Sequence, residues 1–147
     1  MEARDVENMV KKLDLKNFGG IFSIDQLKDT KILSYPVGLI VYDTGHWISV
    51  YLTSDQLEVM DSSGYLTSSK LHSELLNLIC QQMKYKKFFA TPKLQSDTSS
   101  ACALFSITFL YYRTLTNRSL CHFSKLFTSN LKKNCETISD LFRFITK

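Results

Sequence analysis

The feature that most constrains the fold is a run of twelve residues, 101–112, in which nearly every side chain is apolar. A run of this length without a polar face is typical of a helix that is buried on all sides. The residues just before it, Thr98, Ser99 and Ser100, are of the types that cap helix N-termini. The chain must therefore surround this helix with other elements, and the first turn of the helix contains Cys102.

Patterns elsewhere in the chain predict the surrounding elements. Apolar residues at helical spacing predict an amphipathic helix over residues 3–14, which the paired glycines of the NFGG stretch are expected to end. β-Branched and aromatic runs separated by short turn-forming stretches predict an antiparallel meander. The predicted strands are residues 37–42, 46–52, 56–61 and 86–92, and the other predicted helices are residues 68–85, 122–133 and 138–145.

These elements define an α+β fold class. We expect a small mixed or antiparallel sheet, a central buried helix that carries Cys102, and flanking helices. The chain has 147 residues, of which 44% are hydrophobic and 12% aromatic. This is enough for one hydrophobic core, so residues 1–147 are predicted to form a single domain.

Composition argues against several classes of protein. No stretch approaches the ~20 apolar residues of a membrane span, and the charged N-terminal residues lack the apolar block of a signal peptide, so an intracellular protein without a membrane partner is expected. The four cysteines form no close pair, and neither a disulfide scaffold nor a metal site is predicted. The net charge of +4 is spread along the chain, which favours a solvated basic face over a nucleic-acid surface.

Cys102 has two interpretations at this stage. A lone cysteine next to an apolar run is most often a small buried side chain. A helix N-terminus, however, carries about half a positive charge, which stabilises a thiolate and lowers the pKa of the thiol. The choice between core residue and nucleophile therefore depends on whether the fold brings a base to Cys102.

His46 is the histidine placed to be that base, because it opens the second strand of the predicted meander. A turn centred between Thr53 and Ser54 would set Asp61 opposite His46, with Cβ atoms ~5 Å apart. Singly, His46 could be a half-exposed strand residue and Asp61 a turn residue. Together with Cys102, they supply the base, its orienting carboxylate and the nucleophile of a thiol hydrolase.

Three blocks of the sequence carry a family resemblance: GHWISVYL, EVMDSSGY and QSDTSSACALFSITFL. They resemble the His-Trp, Glu/Asp-x-x-Gly and Gln-x-x-x-Ser-x-Ala-Cys-x-Leu-Phe blocks of the adenovirus maturation protease (adenain) family. The order His, Asp, Gln, Cys is shared with the wider clan that includes the SUMO and ubiquitin-like protein proteases. The step from Gln95 to Cys102 and the S-x-A-C-x-L-F run are more similar to the adenain branch.

The resemblance implies a role for each matching residue. Cys102 would be the nucleophile, His46 the general base and then acid, and Asp61 the third member of the triad. Gln95 would donate its side-chain amide to an oxyanion hole that the backbone N–H of Cys102 completes. Trp47 would cover the imidazole and form a wall of the substrate groove, in a papain-like arrangement of the active site.

The resemblance also implies a viral cysteine endopeptidase, a monomer that cleaves precursor capsid and core proteins after small residues, in the host nucleus and the virion. The chemistry needs no cofactor, but the family is activated by DNA and by a short viral peptide. Lys84, Lys86 and Lys87 are the candidate DNA contacts. In the family, the viral peptide can form a disulfide with a cysteine shortly before the glutamine. Lys84 lies near that position in this chain, so covalent activation by a peptide is not predicted. Ala103 replaces the glycine usual in the family.

Two other functions stay open from the sequence. The first is an isopeptidase that acts on SUMO-like or ubiquitin-like proteins, because it would use the same residues on tails that end in Gly-Gly. The second is a non-catalytic basic module that binds DNA or protein. Assays of both substrate types and an activity-directed cysteine probe would separate these alternatives.

Overall fold

A computed structural model describes residues 1–32, 34–43, 45–64, 73–75, 77, 87–96 and 100–147 of the chain. The described elements are, in chain order, α1 Ala3–Leu13, β1 Phe18–Ser23, α2 Ile24–Lys28, β2 Val37–Asp43, β3 His46–Leu52, β4 Gln56–Met60, β5 Lys87–Ala90, α3 Cys102–Thr116, α4 Leu120–Ser124 and α5 Leu131–Ile145.

The five strands form one sheet in the order β1-β2-β3-β4-β5. β2, β3 and β4 are antiparallel neighbours, as the predicted meander requires. The outer strands β1 and β5 run parallel to β2 and β4, which makes the sheet mixed. The α+β prediction, with a small mixed sheet and a central helix, is confirmed.

The strands of the meander are buried on both faces of the sheet, which explains why they read as almost continuous apolar runs. Alternate residues point to opposite faces. One face, which includes Ile40, Trp47 and Met60, joins the core that contains α3. The other face, which includes Leu39, Ile48 and Val59, joins α2 in a second cluster.

Helix α3 lies across the sheet and is buried along most of its length, as the apolar run predicts. α1, α4 and α5 pack around it. Two serine hydroxyls tie the helix to β3: Ser49 donates to the carbonyl of Ser106 at 3.0 Å, and Ser106 donates to the carbonyl of Trp47 at 3.3 Å. Ser106, a polar interruption of the apolar run, therefore helps to fix the helix on the strand that begins with His46.

The prediction that the NFGG glycines end the first helix is wrong. α1 ends at Leu13, and Asp14 takes the left-handed backbone conformation that closes it, with φ of 50°. Gly19 and Gly20 lie instead inside β1, a strand that the sequence analysis missed. A Cβ atom on Gly19 would lie 2.5 Å from Leu39, so the glycine permits the close approach of β1 to β2.

The helix predicted over residues 122–133 is also wrong as a single element. The chain forms the short helix α4, and α5 then begins at Leu131. The Asn130 side chain accepts a hydrogen bond from the backbone N–H of Lys133 and caps the new helix. The helix predicted over residues 68–85 lies largely outside the described residues, although the described Leu75 is buried in the second cluster.

Within the described residues, no helix is long and apolar enough to cross a membrane. In the same part of the chain, no group of His, Cys, Asp and Glu side chains could hold a metal ion. Among the described residues, Cys102 and Cys121 are free thiols.

Candidate active site

Cys102 is the first residue of α3, and its exposed fraction is 7%. The predicted serine or threonine cap is wrong, because Ala101 occupies the N-cap position and makes no side-chain capping bond. The first N–H groups of a helix have no partners within the helix, so they leave a positive partial charge beside the sulfur. This placement favours the thiolate over the thiol.

His46 and Cys102 line the same cavity, and the imidazole lies close enough to the thiol to change its pKa. Burial by itself would raise the pKa of Cys102, but the hydrogen bond from His46 and the backbone hydrogen bonds of Trp47 and Ala103 lower it below its ordinary value. In turn, the hydrogen bonds to Asp61 and then to Cys102 raise the pKa of His46 to about 10. Both shifts favour the thiolate–imidazolium form of the pair over its neutral form.

Asp61 holds the other side of the imidazole. Its carboxylate accepts a hydrogen bond from Nε2 of His46 at 2.8 Å, and its side chain is 1% exposed. The same carboxylate accepts the backbone N–H of Ser63 at 3.0 Å. These two contacts fix the carboxylate, and the carboxylate fixes the ring whose other side faces Cys102.

The predicted strand register, which set Asp61 directly opposite His46, is wrong. Ser49 pairs with Met60 and Leu52 with Leu57, because the turn is centred one residue further along the chain than predicted, between Ser54 and Asp55, and closes with the N–H of Thr53 on the carbonyl of Gln56. The slip is by two positions, which preserves the face of the sheet. Asp61 therefore still reaches His46, from a position just past the end of β4.

A threonine from the segment after β5 fixes the backbone of Asp61. The Thr91 hydroxyl donates to the carbonyl of Asp61 at 2.7 Å and accepts its N–H at 3.1 Å. Thr91 was not among the predicted site residues, because no pattern in the sequence relates positions 61 and 91. The contact joins Asp61 to the segment that continues towards Gln95.

Gln95 is buried and lies with His46 and Cys102 on the wall of a cavity of about 300 Å³. Its side-chain carbonyl oxygen accepts a hydrogen bond from the Ser62 hydroxyl. Its backbone N–H donates to the carbonyl of Ser62 at 3.0 Å. The sequence-predicted oxyanion donor is thus at the site, and Ser62 is a contact that the sequence analysis did not single out.

Trp47 forms another wall of the same cavity. Its indole N–H donates to the carbonyl of Met1 at 3.3 Å, and its ring stacks on Tyr42 with centroids 5.0 Å apart. With an exposed fraction of 4%, Trp47 is a core residue as well as part of the site. Met1 also lines the cavity, and no sequence signal pointed to it.

The lysines are not brought to this site by the described part of the chain. Lys84 and Lys86 lie outside the described residues. Lys87 is exposed at the start of β5, paired with Gln56. Thr91, which contacts Asp61, follows the end of that strand. Four strand positions, or about 13 Å, separate Lys87 from Thr91.

No protein-family model matches the chain, and no curated protein matches it in sequence. Solved structures match it in fold. The central domain of the uncharacterized Lpg1148 protein from Legionella pneumophila is 16% identical with a TM-score of 0.57, and the match covers 99% of this chain and 98% of that chain.

Two further structures have names that describe chemistry or ligands. The SUMO protease Ulp1, solved with its catalytic cysteine oxidized to a sulfenic acid, is 11% identical with a TM-score of 0.58, over 99% of this chain and 77% of that chain. AvrA delL154, solved with IP6 and CoA, is 13% identical with a TM-score of 0.50, over 89% and 52%. At these identities the likeness is one of fold. The chain therefore has a fold of the Ulp1 cysteine-protease type.

Proposed function

We propose that the protein is a cysteine protease with His46, Asp61 and Cys102 as its triad. The observation that carries the proposal is the hydrogen bond between Asp61 and His46, with His46 on the wall of the same cavity as a thiol at the start of a buried helix. Gln95 on the wall of the same cavity adds an amide where an oxyanion would form. The Ulp1-like fold supports this assignment.

In the acylation step, the Cys102 thiolate attacks the carbonyl carbon of the scissile bond. A C–S bond forms and the carbonyl electron pair moves to oxygen, where the Gln95 amide and the Cys102 backbone N–H stabilise the negative charge. The intermediate collapses and breaks the C–N bond. The leaving amine takes the proton of the His46 imidazolium, and a thioester on Cys102 remains.

In the deacylation step, neutral His46 removes a proton from water as the water oxygen attacks the thioester carbonyl. The second tetrahedral intermediate expels the Cys102 thiolate and releases the carboxylic acid product. The imidazolium is restored, and one water has been added across the bond. Asp61 holds the imidazole in the same orientation throughout and stabilises its positive charge.

The finer proposal is an adenain-like endopeptidase that cleaves viral precursor proteins. It is supported by the three sequence blocks and by the spacing of Gln95 and Cys102. Host nucleus and virion as locations, a monomeric state, and activation by DNA or a viral peptide are parts of the same proposal.

The second candidate is a protease for SUMO-like or ubiquitin-like proteins, which the likeness to Ulp1 favours. The test is a direct comparison of two substrates for the wild-type chain and Cys102→Ala: an internally quenched peptide with small residues before the scissile bond, and a ubiquitin-like protein joined through its C-terminus to a fluorophore. Preferential cleavage of the first supports the endopeptidase, and preferential cleavage of the second supports the isopeptidase.

The matched control in both assays is Cys121→Ala, which removes an exposed cysteine away from the triad. Failure of a vinyl-sulfone or chloromethyl-ketone probe to label Cys102, together with no cleavage of either substrate, would overturn the protease assignment and favour the non-catalytic binding module.

A further inference from the structure

Ser62 and Gln95 form a polar contact inside the protein, 33 positions apart in the chain. Ser62 is 1% exposed and Gln95 is 4% exposed. The Ser62 hydroxyl donates to Oε1 of Gln95, while the Ser62 carbonyl accepts the N–H groups of Leu94 and Gln95, at 2.8 and 3.0 Å. Ser62 therefore holds both the backbone and the side chain of Gln95.

The direction of the side-chain bond matters because an amide has one accepting end and one donating end. Stabilising an oxyanion requires the donating Nε2 end to face the reacting carbonyl. A donor placed at Oε1 fixes that end towards Ser62, and so turns Nε2 to the opposite side of the amide. If the amide were flipped, the Gln95 carbonyl oxygen would face an oxyanion and repel it.

Ser62 also directly follows Asp61, the carboxylate that orients His46. Asp61 is fixed by Thr91, and Ser62 is fixed to Leu94 and Gln95. Two adjacent residues therefore have different tasks. Asp61 supplies the orienting carboxylate, and Ser62 holds the oxyanion donor Gln95 through its own contacts.

We propose that Ser62 is a positioning residue that sets the amide orientation of Gln95, so that its Nε2 group donates to the oxyanion. The inference rests on the proposed function, since it requires that Gln95 serves as the oxyanion donor. Ser62 does not touch the substrate carbonyl in this account; it acts through Gln95 alone.

The test is a double-mutant cycle of Ser62→Ala and Gln95→Ala, measured on whichever substrate the wild-type chain cleaves. Ser62→Ala should lower kcat by about 10-fold to 100-fold with little change in KM, because a misplaced group weakens only transition-state contacts. Ser62→Ala should have no further effect in the Gln95→Ala background. A further loss there, or full activity of Ser62→Ala alone, would overturn the inference.

A second measurement excludes a general structural effect. Alkylation of Cys102 by iodoacetamide forms no oxyanion. In the Ser62→Ala variant, Cys102 should therefore be alkylated at the wild-type rate and with the wild-type pH profile. A shifted profile would mean that the substitution acts on Asp61 and His46, and would overturn the assignment. Ser124→Ala, which removes a hydroxyl bonded to Leu120 in α4, is the matched control and should leave kcat unchanged.

The two proposals fail in distinguishable ways. No cleavage by the wild-type chain, together with no labelling of Cys102 by the activity probe, would refute the protease assignment itself. Cleavage by the wild-type chain with a full effect of Gln95→Ala, but none of Ser62→Ala, would refute the role of Ser62 only.

Discussion

At the scale of single residues, the proposed chemistry depends on Cys102 and His46, whose pKa values are shifted in opposite directions. Among the described cysteines, Cys102 is buried yet lines the cavity, whereas Cys121 is exposed and Cys135 half-buried. Cys102 has a histidine partner and a helix N-terminus that stabilise its thiolate. Reactivity at this cysteine therefore depends on ionisation more than on exposure.

Iodoacetamide at about pH 6 should consequently modify Cys102 before Cys80, Cys121 and Cys135. A free thiol with a pKa of about 8.5 is about 0.3% thiolate at that pH, while the pKa of Cys102 is lowered. Peptide mapping by mass spectrometry after brief labelling measures the order. His46→Ala should remove the selectivity, and equal labelling of all four cysteines in the wild-type chain would contradict the assignment of Cys102 as the nucleophile.

The pH dependence of cleavage should have two limbs with different causes. The pKa of Cys102 is lowered, so activity falls on the acidic side as the thiolate is protonated. The pKa of His46 is raised from 6.5 to about 10, so the proton needed by the leaving amine persists to alkaline pH and is lost as pH rises through that value. The two limbs are properties of the coupled pair.

Alkylation of Cys102 should lack the alkaline fall, since it needs a thiolate but no general acid. Asp61→Asn should move the alkaline limb of cleavage to lower pH, because the hydrogen bond to Asp61 is the largest cause of the raised His46 pKa. Parallel pH titrations of cleavage and alkylation measure both effects. An unchanged alkaline limb in Asp61→Asn would contradict the role given to the carboxylate.

Substitutions of the site residues should separate their roles. Gln95→Ala should lower kcat by about 100-fold and leave KM nearly unchanged, because an oxyanion donor acts in the transition state. His46→Ala should abolish peptide cleavage. Steady-state kinetics on purified variants measures these effects, and full activity of Gln95→Ala would remove Gln95 from the oxyanion hole.

At the scale of elements, a buried ion pair holds α3 at the end remote from Cys102. Nε of Arg113 donates to Glu58 on β4 at 2.7 Å, and the same carboxylate accepts the N–H of Leu120 at 2.8 Å. The guanidinium lies 4.4 Å from the centroid of the Tyr51 ring. One carboxylate thus joins β4, α3 and α4.

Arg113→Ala should lower the free energy of unfolding by about 3–5 kcal/mol, since it leaves the Glu58 charge buried without its partner. Urea denaturation followed by circular dichroism measures the change. Arg143→Ala removes an exposed arginine paired with Asp140 and serves as the control, with an expected change of about 0.5 kcal/mol or less. Equal effects of the two substitutions would contradict a special role for the buried pair.

At the scale of the whole molecule, three separate elements bring the triad to one end of the sheet. His46 begins β3, Asp61 follows the end of β4, and Cys102 begins α3. Because β3 and β4 are antiparallel, the start of β3 and the end of β4 lie at the same end of the sheet. The cavity lies at that end, and exposed Lys87 lies towards the opposite end.

The hypothesis that DNA activates the protein concerns the lysines at positions 84, 86 and 87. If Lys84, Lys86 and Lys87 contact phosphates, duplex DNA should stimulate cleavage equally for unrelated sequences, with a log–log salt slope of about −3. Replacing the three lysines by glutamine should flatten the slope. Cleavage assays with and without saturating DNA, at low and at increasing salt, measure the stimulation and its salt dependence. Unchanged cleavage rates at saturating DNA would contradict the hypothesis that DNA is an activator.

The local patterns of the chain were sufficient to predict the meander, the buried helix and His46, Asp61 and Cys102 as candidates, whereas Gln95 became a candidate only through the family resemblance. β3 matches its predicted bounds, because a run of β-branched and aromatic residues with turn-forming residues at its ends is a property of neighbouring positions. The buried character of α3 likewise follows from its apolar composition alone.

Contacts between distant positions were decided only by the tertiary structure. The strand register depends on how the turn after Leu52 closes, and β1 depends on a sheet edge that accepts Gly19 close to Leu39. Thr91 and Ser62 acquire their roles because β5 runs parallel to β4 and returns the chain beside Asp61. A single sequence carries composition and spacing, whereas hydrogen bonds across 30 or more positions exist only once the sheet has placed the two segments side by side.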